Sequence, residues 1–369
     1  MAESGLNLQS LKSKNRSLIL YELNASGKLS RKELSNKLSL TPAAVTKICS
    51  ELIDEGYITE HGEIENSGRS GRKEILLSLS LSDKLIFAIN AERDAITYSV
   101  CDLSGKLYKQ SVTDFTNDIG QVIENGKTFL SAVPKAHTEK LIGMGVCLIG
   151  NAEDSRFGVW ESENLNEAFE KSFSLSCVTE NNVKAFALAQ LIYGSTPEKA
   201  AVLYFKWGPG IGSAFSSGGN ILSGNDNGVT EIGHYIVDPG GEKCRCGRYG
   251  CLETVASRKA ICKSVGQNLT LEEIAESDNK EIMNIMDCKI DTVALALANT
   301  ATILNAQKVV LFGSLFYCGK IKEKLKKQFL RYNPNLKDSM IKESELNKKN
   351  SYIGATAICA KRFFFEKNM

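Results

Sequence analysis

Apolar residues recur at helical spacing in the first part of the chain and alternate in strand fashion afterwards, so the sequence divides by period before any motif is considered. Over residues 7–27, Leu8, Leu11, Ile19, Leu20 and Leu23 mark one face of a helix that stops at Gly27. Two further helical runs follow, joined at Leu38 to Leu40. Ser30 with Glu33 three residues on is a capping box, and Thr41 before Pro42 is an N-cap with proline at the first helical position. Ala44, Val45, Ile48, Leu52 and Ile53 then carry an apolar face to Gly56. Three short helices so connected predict a helix-turn-helix with Pro42 to Glu55 as the recognition helix, or else a small helical bundle with no nucleic-acid role. The next residues favour the first reading. Tyr57 to Thr59, an acidic and polar tip, GRSGRK at 68–73 and the alternating EILLSLS predict a two-stranded wing with Arg69, Arg72 and Lys73 at its base. Glycines beside arginines suit a narrow minor groove, whose concentrated negative potential attracts guanidinium groups. Ala43, Thr46 and Lys47, on the exposed face of the recognition helix, are the candidates for base or phosphate contact in the major groove.

From Leu85 the pattern becomes that of strands, with a turn at Asp102 to Gly105. LIGMGVCLIG at 141–150 reads as a short buried strand, and FSLSCVTENNVKAFALAQLIYG as a strand followed by a helix from Asn182 to Tyr193. A second alternating run begins at Ala200 and contains Gly208, Gly210 and Gly212. Helical segments through Leu297, a strand at Lys308 to Phe316, basic helical stretches and a closing helix entered through Gly354 complete the chain. The expected division is a winged helix-turn-helix over 1–80, one strand-and-helix lobe over 81–200 and a second over 201–369, with the last helix open to packing back on the first lobe.

Composition narrows the partners. The 369 residues are 43% hydrophobic and 24% charged with a net charge of +2, so the case for nucleic acid is local, resting on the Gly-Arg arm and the Lys47 face. Eleven cysteines are too few for a disulfide scaffold, and no apolar stretch of about twenty residues occurs. A cytoplasmic protein with no membrane partner is expected.

One segment carries concentrated chemistry. Residues 231–253 read EIGHYIVDPGGEKCRCGRYGCLE, placing His234 upstream of Cys244, Cys246 and Cys251. Gly247 and Gly250 around Arg248 and Tyr249 let a tight loop converge three thiolates, and His234 can supply a fourth ligand. That is a closed Cys3His tetrahedron of the structural Zn2+ type, with no position left for a reacting water. The plain alternative is a set of buried free cysteines.

The same segment resembles the signature of the ROK family of bacterial sugar kinases and sugar-responsive repressors, in which Glu-x-Gly-His is followed by Cys-x-Cys-Gly-x-x-Gly-Cys-Leu-Glu. The resemblance implies an α/β, two-lobed actin-like ATPase fold from about Leu85 to the C-terminus. It also implies a sugar site in which Asn181, Asn182, Glu231, His234 and Glu253 reach the hydroxyls while the metal steadies their loop. At the strand-to-helix junction the family's kinases carry Glu-Asn-Asp, the aspartate acting as base. Here the triplet is Glu180, Asn181 and Asn182, and an amide takes no proton, although Asn182 can bind a hydroxyl or merely cap its helix. The family's glycine-rich phosphate turn reads Asn90, Ala91, Glu92, Arg93 and Asp94, with its glycines gone and carboxylates where phosphate would sit. The winged helix resembles the DNA-binding half of the repressors. A sugar-responsive repressor, acting as a dimer or a dimer of dimers on a palindromic operator, is therefore expected. The alternatives are a sugar kinase with an accessory domain and a zinc-stabilised regulator that has lost its sugar.

Overall fold

Helix α1 (Leu8–Ser26) leads into strand β1 (Leu29–Ser30), helices α2 (Arg31–Leu38) and α3 (Pro42–Asp54), and strands β2 (Ile58–Ile64) and β3 (Glu74–Leu79). The structure is a computed structural model that describes residues 8–64, 74–150, 165–194, 200–222, 230–266 and 269–367. Strand β3 lies between β1 and β2 in an antiparallel sheet, giving the wing its ladder. The capping signals act locally as their chemistry dictates. Ser30 Oγ accepts from the Glu33 N–H at 3.3 Å, the Glu33 carboxylate accepts from the Ser30 N–H at 2.7 Å, and Thr41 Oγ1 accepts from the Ala44 N–H. Val45, Ile48, Cys49 and Leu52 bury one face of α3, which leaves Ala43, Thr46, Lys47 and Ser50 exposed on the other. Lys12 and Arg16 of α1 pair with Glu51 and Glu55 at the far end of α3, so Lys47 is the cation that this helix itself presents. The stretch holding Arg69, Arg72 and Lys73 lies outside the described residues.

The rest of the chain forms two sheets with one topology. In the first lobe, β4 (Leu85–Ala91), β5 (Ala95–Asp102) and β6 (Leu107–Asp114) form an antiparallel meander. After α4 (Ile119–Ser131) and the short α5 (Lys135–Thr138), β7 (Leu141–Leu148) pairs parallel to β4. Helix α6 (Leu165–Phe173) then leads to β8 (Cys177–Asn181) and α7 (Asn182–Tyr193), for a strand order β6-β5-β4-β7-β8. The second lobe repeats it: β9 (Val202–Trp207), β10 (Ile211–Ser217) and β11 (Asn220–Ile221) form the meander. Helices α8 (Leu252–Ala256), α9 (Arg258–Val265), α10 (Leu271–Glu276) and α11 (Lys280–Ile303) precede β12 (Lys308–Phe312), and α12 (Gly319–Tyr332) precedes β13 (Ile341–Glu343), giving β11-β10-β9-β12-β13. Strand β4 is buried along its whole length, as a central strand covered on both faces must be.

The strand expected from Lys308 to Phe316 is shorter than its apolar run suggests. It ends at Phe312, where Gly313 adopts φ 109° beside the Trp207 carbonyl, and Ser314–Tyr317 turns as a 3-10 helix. Apolar character continued because Leu315 and Phe316 are also core residues, and burial does not distinguish strand from turn.

Helix α13 (Ile353–Ala360) leaves the second lobe and packs against α7 of the first. The approach is close: a methyl group on Gly354 would sit 3.1 Å from Ala185 Cβ, and one on Gly145 of β7 would strike the Ala355 carbonyl. The helix widens at Lys361–Phe365 into a π-helical turn whose rings reach the winged helix. Phe365 stacks on Tyr21 at 4.7 Å between centroids and Phe364 on Tyr57 at 4.8 Å, while the Tyr21 hydroxyl donates to Glu366 at 3.0 Å. Asn24 Nδ2 donates to the Ile192 carbonyl near the end of α7 at 2.6 Å. No described helix is long and apolar enough to cross a membrane.

Because the atom in the way at Gly145 is backbone, Gly145→Ala is expected to lower the unfolding free energy by about 2 kcal/mol or more, read as a shift in the urea midpoint.

Candidate effector cleft and metal centre

The cysteine loop is built by short-range bonds. Cys244 N–H donates to the Arg248 carbonyl at 2.7 Å and Gly250 N–H to the Glu242 carbonyl at 2.9 Å, while Ile236 and Cys251 form an isolated bridge. Gly247 and Gly250 both have positive φ, and a side chain at 250 would collide with the Asp238 carbonyl. These turns bring His234, Cys244, Cys246 and Cys251 together, with one ligand atom from each lying within 4.8 Å of all the others. Cys244 Sγ is 3.4 Å from His234 Nδ1, and Cys246 Sγ is 3.5 Å from Cys251 Sγ. Four such donors at tetrahedral positions around one ion stand roughly 3.5–3.8 Å apart, so the cluster fits a metal. In the protein alone, burial pushes the Cys251 thiol up to about 12 and raises Cys244. At Cys246, burial is outweighed by hydrogen bonds from Arg248 and the neighbouring thiols, which bring it down to about 7. Burial lowers His234 to about 4, leaving the neutral imidazole that a metal requires.

The chain passes from this loop directly into the cleft between the lobes. Cys251 precedes α8, which places Glu253 in the first helical turn, where it accepts the Ile211 N–H at 3.0 Å and the Arg93 guanidinium at 2.8 Å. Arg245, between two cysteines, brings its Nε to 3.8 Å from the same carboxylate. Glu231 opens into the cleft. The protein crowding it raises its pKa, against the pull of Lys184 and Arg245.

Opposite stands the start of α7. Asn181 is the cap, its Oδ1 accepting from the Val183 and Lys184 N–H groups at 2.9 and 3.1 Å while its Nδ2 donates to the Gly150 carbonyl at 2.8 Å. That leaves Asn181 one N–H for a ligand. Asn182 is not the cap. Its Nδ2 donates to the Ala91 carbonyl at 3.2 Å, which leaves Oδ1 as an acceptor on the cleft wall. All five residues expected to hold a sugar line one cavity, of about 40 Å3.

Two findings were not visible in the sequence. The carboxylates of the β4–β5 turn do not act as bare negative charge. Glu92 is held at 2.6 Å by Lys206 of β9, and Asp94 pairs with Arg258 of α9. Together with Arg93 on Glu253, three consecutive residues of the first lobe are each ion-paired to the second. Arg93 lies against Gly210 of the facing turn, about 3.6 Å from where a β-carbon there would be. Arg93, Lys206 and Arg245 belong to the cleft although none of them was expected there: Arg93 and Arg245 lie within the segments singled out in the sequence, and Lys206 lies in a strand. The arginine in place of a turn glycine was the one available signal.

The two sheets of matching order, the cleft between them and the winged helix in front describe a sugar-kinase-like domain joined to a DNA-binding domain. The profile of the ROK family matches residues 86–362, and that of the winged helix-turn-helix DNA-binding family matches residues 12–59. The N-acetylglucosamine repressor of Escherichia coli O6:H1 is 26% identical over 348 residues, covering 85% of this chain and 84% of that protein. The crystal structure of a ROK family transcriptional regulator, a homologue of the E. coli MLC protein, superposes with a TM-score of 0.76 at 21% identity over 96% of this chain and 97% of that one. A ROK family glucokinase from Streptomyces griseus, solved with glucose and AMPPNP, superposes at 0.66 with 17% identity over 75% of this chain and all of that one. The chain belongs to the ROK family, in its branch of transcriptional repressors.

The cluster is expected to retain about one divalent metal per chain when purified without chelator, and Cys246→Ser to lose most of it, as measured by elemental analysis.

Proposed function

We propose that this chain is a repressor of carbohydrate genes whose kinase-like domain, of actin-like ATPase descent, has become a non-catalytic receptor for a sugar. The repeated strand order of the two lobes supports that descent. The supporting chemistry for lost catalysis is the amide of Asn182 where a base would stand and the Arg93 side chain over Gly210. A kinase reading would need other groups to supply both the base and the phosphate cradle. The units are 1–80 for DNA, 81–200 for the first lobe with α13 added, and 201–369 for the second.

Asn181, Asn182, Glu231, His234 and Glu253 would bind the sugar hydroxyls. Zn2+ on His234, Cys244, Cys246 and Cys251 would fix the loop that presents them, with Nδ1 of His234 on the metal and Nε2 left for the ligand. Ala43, Thr46, Lys47, Arg69, Arg72 and Lys73 would meet operator DNA in the cytoplasm, two chains or a pair of dimers spanning a palindrome.

The observation that carries this reading is the course of α7. It begins at Asn182 in the cleft, and the carbonyl of Ile192 near its other end is held by Asn24 of the winged helix. A sugar that shifts the start of α7 acts on the orientation of the DNA-binding unit without any long relay.

Operator anisotropy at fixed salt tests the assignment. Arg72→Ala is expected to weaken operator binding about tenfold with sugar affinity unchanged, and Glu231→Ala to bind operator normally while losing the response to sugar. Normal binding by the first variant or a wild-type response by the second would defeat the proposal, as would sugar-dependent ATP turnover by the unmodified protein.

A further inference from the structure

Behind Glu253, on the side away from Asn181 and Glu231, lies a second and larger cavity. Its volume is about 630 Å3. That is within the roughly 300–1,000 Å3 of small-molecule sites, whereas the inner cavity is far below it. The two share one wall, made of Arg93, Arg245 and Glu253.

The cavity is cationic by construction. Arg93 and Arg245 come from the wall, and Arg258, Lys259 and Lys263 come from the exposed side of α9. Against these five stand the carboxylates of Asp94, Glu242 and Glu253. Asp94 is taken by Arg258 and Glu242 by Lys263, so neither offsets the remaining cations. Glu253 must serve two guanidiniums at once, at 2.8 and 3.8 Å. Arg93 Nε, moreover, is buried without a hydrogen-bond partner among the described residues. An arginine presents its N–H donors as a planar fork, and here one donor is shielded from water with nothing to accept it.

We propose that this cavity binds a phosphate-class anion, and that the bound anion draws Arg93 and Arg245 off Glu253. A tetrahedral oxyanion offers acceptors in the number and geometry that two guanidiniums need, which a single shared carboxylate does not. Release of Glu253 frees one of the carboxylates assigned to sugar hydroxyls and loosens a tie between the lobes. Anion and sugar therefore bind with positive coupling, each tightening the other by the same factor. The coupling rests on the sugar site proposed above; the anion site itself does not. The anion is either free phosphate or the ester group of a phosphorylated sugar reaching from one cavity into the other.

Calorimetric titration of the full chain in phosphate-free buffer at fixed ionic strength tests this. Inorganic phosphate is expected to bind saturably at one per chain, where added chloride gives no saturable heat. Lys259→Ala/Lys263→Ala, which alters only exposed side chains, should weaken phosphate at least about tenfold while leaving the affinity for N-acetylglucosamine or glucose in phosphate-free buffer unchanged. Saturating phosphate should tighten the sugar at least about fivefold. A hexose 6-phosphate that binds more tightly than the hexose in the presence of phosphate identifies the ester as the source; the reverse order identifies the free anion. Phosphate heats no different from chloride, or a double variant that binds phosphate like the parent protein, would overturn the site. If phosphate binds as described and no sugar binds under any condition, the anion site stands and the sugar reading is what fails.

Discussion

Most side chains of α7 are buried, because both lobes, the C-terminal helix and the winged helix close on it from different sides. Its sequence has the features this requires. Ala185, Ala187 and Ala189 let neighbours approach, and Gly354 of α13 brings that helix to within methyl contact. Phe186 stacks on Phe312 of β12 at 3.8 Å between centroids, so the same helix that belongs to the first sheet is packed on the second. Gln190 accepts from Ser344 at 2.6 Å, tying it again to the second lobe. A helix apolar on all sides is a buried one, and this one runs from the cleft at its start to the winged helix near its end.

The cleft is organised around that helix and the cysteine loop facing it. Three carboxylates beside the cleft are already paired within the protein. Glu253 is held by a backbone N–H and two arginines, Glu92 by Lys206, and Asp94 by Arg258. Removing one partner from a buried pair typically costs about 3–5 kcal/mol, a range that bears on Glu92 with Lys206, whereas the exposed pair of Asp94 with Arg258 is worth about 1 kcal/mol at most. A ligand that replaces these partners shifts the equilibrium only by as much as it prefers the altered arrangement. In that sense the charged β4–β5 turn ties the first lobe to the second.

What was legible in the sequence was whatever has a local cause. The capping box at Ser30 and Glu33, the N-cap at Thr41, the span of α7 and the four metal-cluster residues all depend on spacings of a few residues or on one unusual segment. The pairing of Glu92 with Lys206 joins positions 114 apart and that of Arg93 with Glu253 positions 160 apart, and nothing local announces either. Which of Asn181 and Asn182 caps the helix was open for a related reason. Either asparagine could cap it, and only the strand that delivers them decides that Asn181 turns inward to the helix while Asn182 faces Ala91. The end of β12 at Phe312 was hidden because the turn after it is as apolar as the strand.

A sugar-responsive repressor requires that cleft and operator communicate. The direct measurement is the affinity of sugar for the free chain and for the chain saturated with operator, alongside operator affinity with and without saturating sugar. Each affinity is expected to change, by one common factor of roughly 5–150. Equal sugar affinity for free and operator-bound protein, with binding evident in both, would contradict this.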